Sequence, residues 1–244
     1  IRLKIMAGIE DNLISNQPQF GTASICILRE LVDIRISTQP TEYGESVVIR
    51  ISNKNKQISK LDELGFDYDK ISDCINYSNG LLIISGGPGS GKTTTAHSII
   101  NHLSSSEKKI LVMESPIESD LAITEQLKIE NFKNYQAQIV NPALKQDSDL
   151  IFIGEINTVE IASTAFQIAY MGKKIITTMN SKNLIGSIYQ LINMGISKNT
   201  ISTCVHSIIF QKLLRKLCEK CKTIDIISSD EAKILGLEKK VEIY

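Results

Sequence analysis

Hydrophobic positions follow two different rhythms along the chain. Residues 32–38 alternate, with Val32, Ile34 and Ile36 on one side and Asp33, Arg35 and Ser37 on the other. Residues 47–51 alternate again, Val47, Ile49 and Ile51 facing away from Val48 and Arg50. A period of two predicts a pair of half-buried strands, and Pro40 and Gly44 punctuate their connection. The polar, aperiodic stretch Ser52–Gln57 then predicts a domain boundary. Beyond it, short apolar runs alternate with helical spacings. Gly80–Ser85, Ile110–Met113, Asp149–Glu155, Lys174–Met179 and residues 205–210 read as strands. Ala96, Ile99, Ile100 and Leu103 mark a helix, as do Val159, Ala162, Phe166 and Ala169, and residues 184–194. Strand–helix alternation of this kind predicts a mostly parallel sheet covered on both faces. Residues 115–148 show no clear period.

Composition narrows the classes. The chain has 244 residues, 42% of them hydrophobic, enough for one large domain plus a smaller piece. Lys plus Arg equals Asp plus Glu, 27 against 27. With no net positive charge and no Trp for base stacking, a nucleic-acid partner is not expected. No apolar run approaches the roughly 18–20 residues of a membrane span. The five cysteines are odd in number and scattered, so a disulfide framework is not expected and a reducing cytoplasm fits better. Because Ile1 stands inside a patterned segment, a fragment of a longer protein is expected.

The chemistry concentrates at Gly86-Gly87-Pro88-Gly89-Ser90-Gly91-Lys92-Thr93, which matches the phosphate-loop pattern G-x-x-x-x-G-K-[ST]. Its setting carries the reading: a buried strand ends at Ser85 and a helix begins near Lys92. Glycines let successive backbone N–H groups turn toward phosphate oxygens. The helix N-terminus adds its partial positive charge. Lys92 is expected to reach the β- and γ-phosphates of ATP, and the Thr93 hydroxyl to ligate Mg²⁺. Such a loop needs acids opposite it. Glu155 closes the run Leu150–Gly154 at the carboxyl end of a strand, where parallel sheets place ligands, and is assigned to Mg²⁺. Glu114 follows the strand 110–113 directly and is the preferred group to orient and deprotonate water. Glu118 is read as a solvated or supporting acid, and Asp149 as a loop or cap residue.

Several further segments resemble one family, the ATPases of type II secretion and type IV pilus assembly. They are Lys4–Gly8, Val32–Thr41 with Gly44-Glu45, Glu114–Glu118, Lys145–Asp149 leading into Glu155-Ile156, Asn193–Gly195 and Leu213–Cys218. The resemblance covers nearly the whole chain in order. It implies a small α+β second N-terminal domain, residues 1–56, with the family's first N-terminal domain absent. A RecA-like ATPase domain follows, residues 57–244, including the C-terminal C-x-x-C region. It implies a homo-hexameric, Mg-dependent motor at the cytoplasmic face of the inner membrane. Such a ring engages a membrane platform protein and a cytoplasmic adaptor, and associates with the membrane through them. Nucleotide-binding positions carried over are Gly87, Pro88, Gly89, Ser90, Gly91, Lys92, Thr93 and Thr94, with Arg35 and Arg50 reaching the phosphates from the small domain. Both arginines lie on the non-core faces of their strands. A hairpin would bring them together, and an anion would relieve their repulsion.

The chain departs from the family pattern at charged positions. Ser115 stands for an Asp, Asn180 for a His, Asn141 and Lys145 for two arginines, and Asn157-Thr158 for Arg-Asp. Fewer cations then meet the charge that develops on phosphate, so slow hydrolysis is expected. An alternative follows: a degenerate subunit that binds nucleotide for ring assembly and docking but hydrolyses little. A pilus retraction ATPase is a further alternative, disfavoured by Cys218-Glu219-Lys220-Cys221. In the family that pair is half of a four-cysteine zinc site. Two thiolates fall short of the usual four ligands, so zinc is expected only in a longer chain. His97, His102 and His206 read as structural, Gln211 has no evident role, and Lys212, Arg215 and Lys216 read as a solvated helix face.

Overall fold

The strand Gly80–Gly86 (β4) is apolar without alternation because both of its faces are covered. Leu81 and Ile83 enter one hydrophobic cluster, Leu82 and Ile84 another. In the strand Leu150–Glu155 (β7), Ile151 and Ile153 likewise point to the first cluster, Leu150 and Phe152 to the second. The computed structural model describes residues 1–9, 16–27, 30–53, 58–114, 117, 119, 121, 124–128, 145–223, 225–226 and 242–243.

Six strands form one parallel sheet, ordered β6-β5-β7-β8-β4-β9. The others are Ile110–Glu114 (β5), Glu125–Lys128 (β6), Lys174–Asn180 (β8) and Val205–Phe210 (β9). One face carries the helices Tyr68–Ile75 (α2) and Lys92–Leu103 (α3), burying Ile71, Ile75, Ala96, Ile99 and Ile100. The other carries the helices Val159–Tyr170 (α4), Leu184–Asn193 (α5) and Lys198–Cys204 (α6). Since the strands run parallel, Gly86, Glu114, Glu155 and Asn180 all end at one edge. At the opposite edge, the Tyr77 hydroxyl donates to Ile175 O at 2.7 Å, and its ring stacks on His206 with centroids 4.6 Å apart. His206 is therefore a packing residue, as its sequence context predicts.

A separate antiparallel sheet precedes this one, built from Gln19–Ile27 (β1), Glu30–Thr41 (β2) and Gly44–Asn53 (β3) in sequence order. Ile34 and Ile36 are buried against Ala7 and Ile9, just after the helix Arg2–Met6 (α1). The predicted hairpin is present and sets Arg35 directly opposite Arg50, but its second strand is not half-buried: residues 44–51 are exposed, Val47, Ile49 and Ile51 among them. Both sheets belong to one compact unit, Ile1–Gln211, and Lys212–Tyr244 forms another. The expected boundary at 56/57 falls on 54–57, outside the described residues. Of the elements named above, α1, β1, α2, β6 and α6 escape the period reading. Residues 212–216 are exposed and lie in no helix, which corrects the expected helix face.

Candidate functional site

The phosphate loop is held from behind by its own sheet. The Gln211 amide N–H donates to Ser85 O at 2.9 Å, and its side-chain Nε2 donates to Ser90 O at 2.6 Å. Gly86 passes so close to this brace that a Cβ there would meet Gln211 O at 2.5 Å. Gly91 stands at the start of α3 with φ 84, the left-handed region that glycine enters without steric penalty. The chain then turns directly into the helix, whose first N–H groups lack intrahelical acceptors and face the loop. These contacts give Gln211 a role that its sequence context did not reveal: it fixes the loop.

A cavity of about 340 Å³ opens over the loop, within the usual size of small-ligand sites. Pro88, Gly89, Lys92, Thr93, Glu114 and Glu155 line it, together with Asn180 and Arg50. Of the other expected positions, Gly87, Ser90 and Gly91 lie in the loop itself, and Thr94 is exposed on the first turn of α3. Arg35 stands beside the cavity through its pairing with Arg50 and is not among the lining residues. Among the described residues neither arginine has an ion pair to a carboxylate.

Three side chains form a chain of contacts across the cavity. Lys92 Nζ donates to Gly87 O at 3.0 Å and to Asn180 Oδ1 at 2.6 Å. Asn180 Nδ2 in turn donates to Glu155 Oε1. Asn180 therefore links the loop lysine to the strand-end acid without carrying charge. Glu155 owes its direction to an irregularity in β7: the register against β8 shifts between Ile153 and Glu155. Bulges of this kind re-aim side chains beside functional sites.

Glu114 ends β5 and is 4% exposed. His97 Nε2 lies 2.7 Å from its Oε1, while Oε2 has no partner among the described residues. The histidine is equally buried, on the face of α3 turned to the sheet, with its ring edge-on to Phe152. His97 thus joins the site, against the expectation of a merely structural role. The signal was missing because the contact pairs a helix with a strand seventeen residues further on. Asp149 behaves as expected of a loop or cap residue, accepting from the Lys109 amide at 2.8 Å. Glu118, Ser115 and Asn141 lie outside the described residues.

Cys218 and Cys221 belong to the C-terminal unit and are exposed. A tight turn brings them together, with Lys222 N donating to Cys218 O at 2.9 Å. The Lys220 amide, and then Cys221, hold the Cys218 thiol below its ordinary range. A lowered thiol favours the thiolate that binds metal. Still, no group of three or more His, Cys, Asp or Glu side chains suited to a metal occurs among the described residues. Two thiols do not make a four-ligand zinc site.

A parallel sheet with a phosphate loop after β4 and acids on neighbouring strand ends defines a RecA-like nucleotide-binding domain. More particularly, the chain belongs to the type II/IV secretion system protein family, whose model matches residues 1–242. It is 32% identical over 241 residues to the type II secretion system protein E of Aeromonas hydrophila, covering 97% of this chain and 48% of that one. It is also 32% identical over 243 residues to the type II secretion system ATPase E of Vibrio cholerae, covering 98% and 48%. The chain therefore spans about half the length of these relatives. Among solved structures it resembles the ATPase DotB of Legionella pneumophila, with a TM-score of 0.68, 23% identity, and 87% and 63% of the two chains covered. The pilus retraction motor PilT with bound ADP gives 0.66, 24%, and 84% and 61%. Among the described residues no helix is long and apolar enough to cross a membrane.

Proposed function

We propose that this chain carries the motor ATPase of a type II secretion or type IV pilus assembly machine. The observation that supports it best is the one cavity shared by Lys92, Thr93, Glu114, Glu155 and Arg50. In this reading ATP lies with its phosphates along Gly87–Thr94. Lys92 exchanges Asn180 Oδ1 for oxygens of the β- and γ-phosphates. Glu114 orients the attacking water and accepts its proton. Arg50, with Arg35 next to it, brings positive charge from the small domain, residues 1–56, to the ATPase domain, residues 57–244. The Thr93 hydroxyl and the Glu155 carboxylate are hard oxygen donors in one cavity, which suits Mg²⁺. Bound there, Mg²⁺ neutralises phosphate charge.

The arginine pair gives one test. Arg50→Ala is expected to lower kcat of ATP hydrolysis by about 10²-fold, the typical effect of losing one donor to a developing charge. Arg50→Lys should recover only part, because an ammonium lacks the planar fork. Stability should not fall, since the change removes one of two facing like charges. Unchanged turnover in Arg50→Ala would take the arginine out of the site.

The proposal extends to the assembly. Six copies form a ring at the cytoplasmic face of the inner membrane, engage a platform protein and a cytoplasmic adaptor, and reach the membrane through them. Hydrolysis is slow, because Asn180 supplies no charge where the family has a histidine. One observation favours the degenerate reading as a second possibility: Asn180 occupies both Lys92 and Glu155. The double variant Glu114→Gln/Glu155→Gln separates the two. A motor loses pilus assembly or secretion in cells carrying it, whereas a docking subunit retains both.

A further inference from the structure

A buried carboxylate must be hydrogen-bonded or it is costly to keep. Glu114 meets this condition through one residue, His97, whose Nε2 lies 2.7 Å from Oε1. With Glu114 ionised, the carboxylate accepts only, so Nε2 carries the hydrogen and donates it. The imidazole is itself immobilised. Its ring is edge-on to Phe152, with centroids 5.7 Å apart and planes at 78°, and 2% of the residue is exposed. The second carboxylate oxygen, Oε2, is buried without a partner, and Glu114 lines the cavity over the phosphate loop.

We propose that His97 is the positioning residue for Glu114. It takes up Oε1 and so leaves Oε2 as the one oxygen free to accept from the hydrolytic water. Its place on α3 gives this a further consequence. The helix that carries Lys92 and Thr93 at its first turn also sets the base, one turn later and from its sheet-facing side. Phosphate grip and water activation then share one rigid element, and a shift of α3 relative to β5 moves both together. Misplacing a reacting group by 1 Å can cost on the order of 10²-fold in rate. The inference rests on the reading of Glu114 as the group that activates water.

The test compares kcat and KM for Mg-ATP in the full chain. His97→Phe keeps an aromatic ring against Phe152 and removes the donor. His97→Gln keeps an N–H at the position of Nε2. Expected are a kcat lowered by roughly 10–100-fold with KM nearly unchanged in His97→Phe, and a kcat within about five-fold of the parent in His97→Gln. Should His97→Phe fail to fold, His97→Met fills the space flexibly without a donor and carries the same expectation. In a Glu114→Gln background the His97 substitutions should add little, because both act on one group. Parental kcat in His97→Phe or His97→Met, with Glu114→Gln inactive, overturns the positioning role alone. Full activity of Glu114→Gln removes instead the reading on which it rests. Equal losses of kcat in His97→Gln and His97→Phe also overturn it, since the donor would then be irrelevant.

Discussion

Glu114→Gln is expected to lower kcat of ATP hydrolysis by about 10²–10⁴-fold, the usual contribution of a positioned acid–base group. The substitution is nearly isosteric, and the amide oxygen of Gln can still accept from His97 Nε2, so the fold and the helix contact should persist. What disappears is the capacity to take a proton. KM for Mg-ATP should therefore change little, because the loop, Lys92 and Thr93 are untouched. Steady-state phosphate release over a range of ATP concentrations checks both parameters. Turnover within two- or three-fold of the parent would mean that water is activated elsewhere, with Glu155 the first candidate.

Phe152→Ala is expected to destabilise the chain by about 3–5 kcal/mol, the range for removing a buried aromatic ring from a core. Phe152 is fully buried at the centre of β7 and belongs to the cluster beneath α2 and α3. Its backbone is paired on both sides, to β5 and β8, so the strand cannot move into the space without breaking ladder hydrogen bonds. The ring also supports His97, so the loss should reach the site as lowered kcat in whatever fraction remains folded. Urea unfolding measures the first effect; with a slope of about 1–3 kcal/mol/M, the midpoint should fall by more than 1 M. A loss below about 1 kcal/mol would show that the sheet repacks around the gap.

How much of this was legible in the chain depends on whether the relevant contact is local. The strands of the parallel sheet stand out because both of their faces are apolar, as in Leu81–Ile84 and Leu150–Ile153. The phosphate loop is contiguous in sequence, so its identity and its place between β4 and α3 could be read directly. Even the arginine pair was accessible: alternation in two adjacent strands fixes their register once the hairpin is granted. The missed strand β1 offers little, since its inward positions include Gln19, Gly21 and Ala23, which carry almost no apolar signal. Helix α6 is too short for a period to emerge, although Ser197 caps it through the Thr200 amide at 3.0 Å. His97 with Glu114, Asn180 with Lys92 and Glu155, and Gln211 with Ser90 all join residues from different elements. No spacing rule within one segment announces such pairs.

The structure also gives the slow-hydrolysis expectation a physical form. Asn180 accepts from Lys92 and donates to Glu155. In the proposed binding mode Lys92 leaves Asn180 for phosphate oxygens, and an amide contributes no positive charge in return. The loop is complete, and its brace through Gln211 is in place.

Lys92, Thr93, Glu114, Glu155 and Arg50 line one cavity, the proposed site of Mg-ATP hydrolysis. Phosphate release by the purified chain at saturating ATP, with and without Mg²⁺ and alongside Lys92→Ala, tests it most directly. Slow release that requires Mg²⁺ and is lost in Lys92→Ala is the expected result. Release that persists in Lys92→Ala, or bound nucleotide with no release in the parent chain, would contradict it.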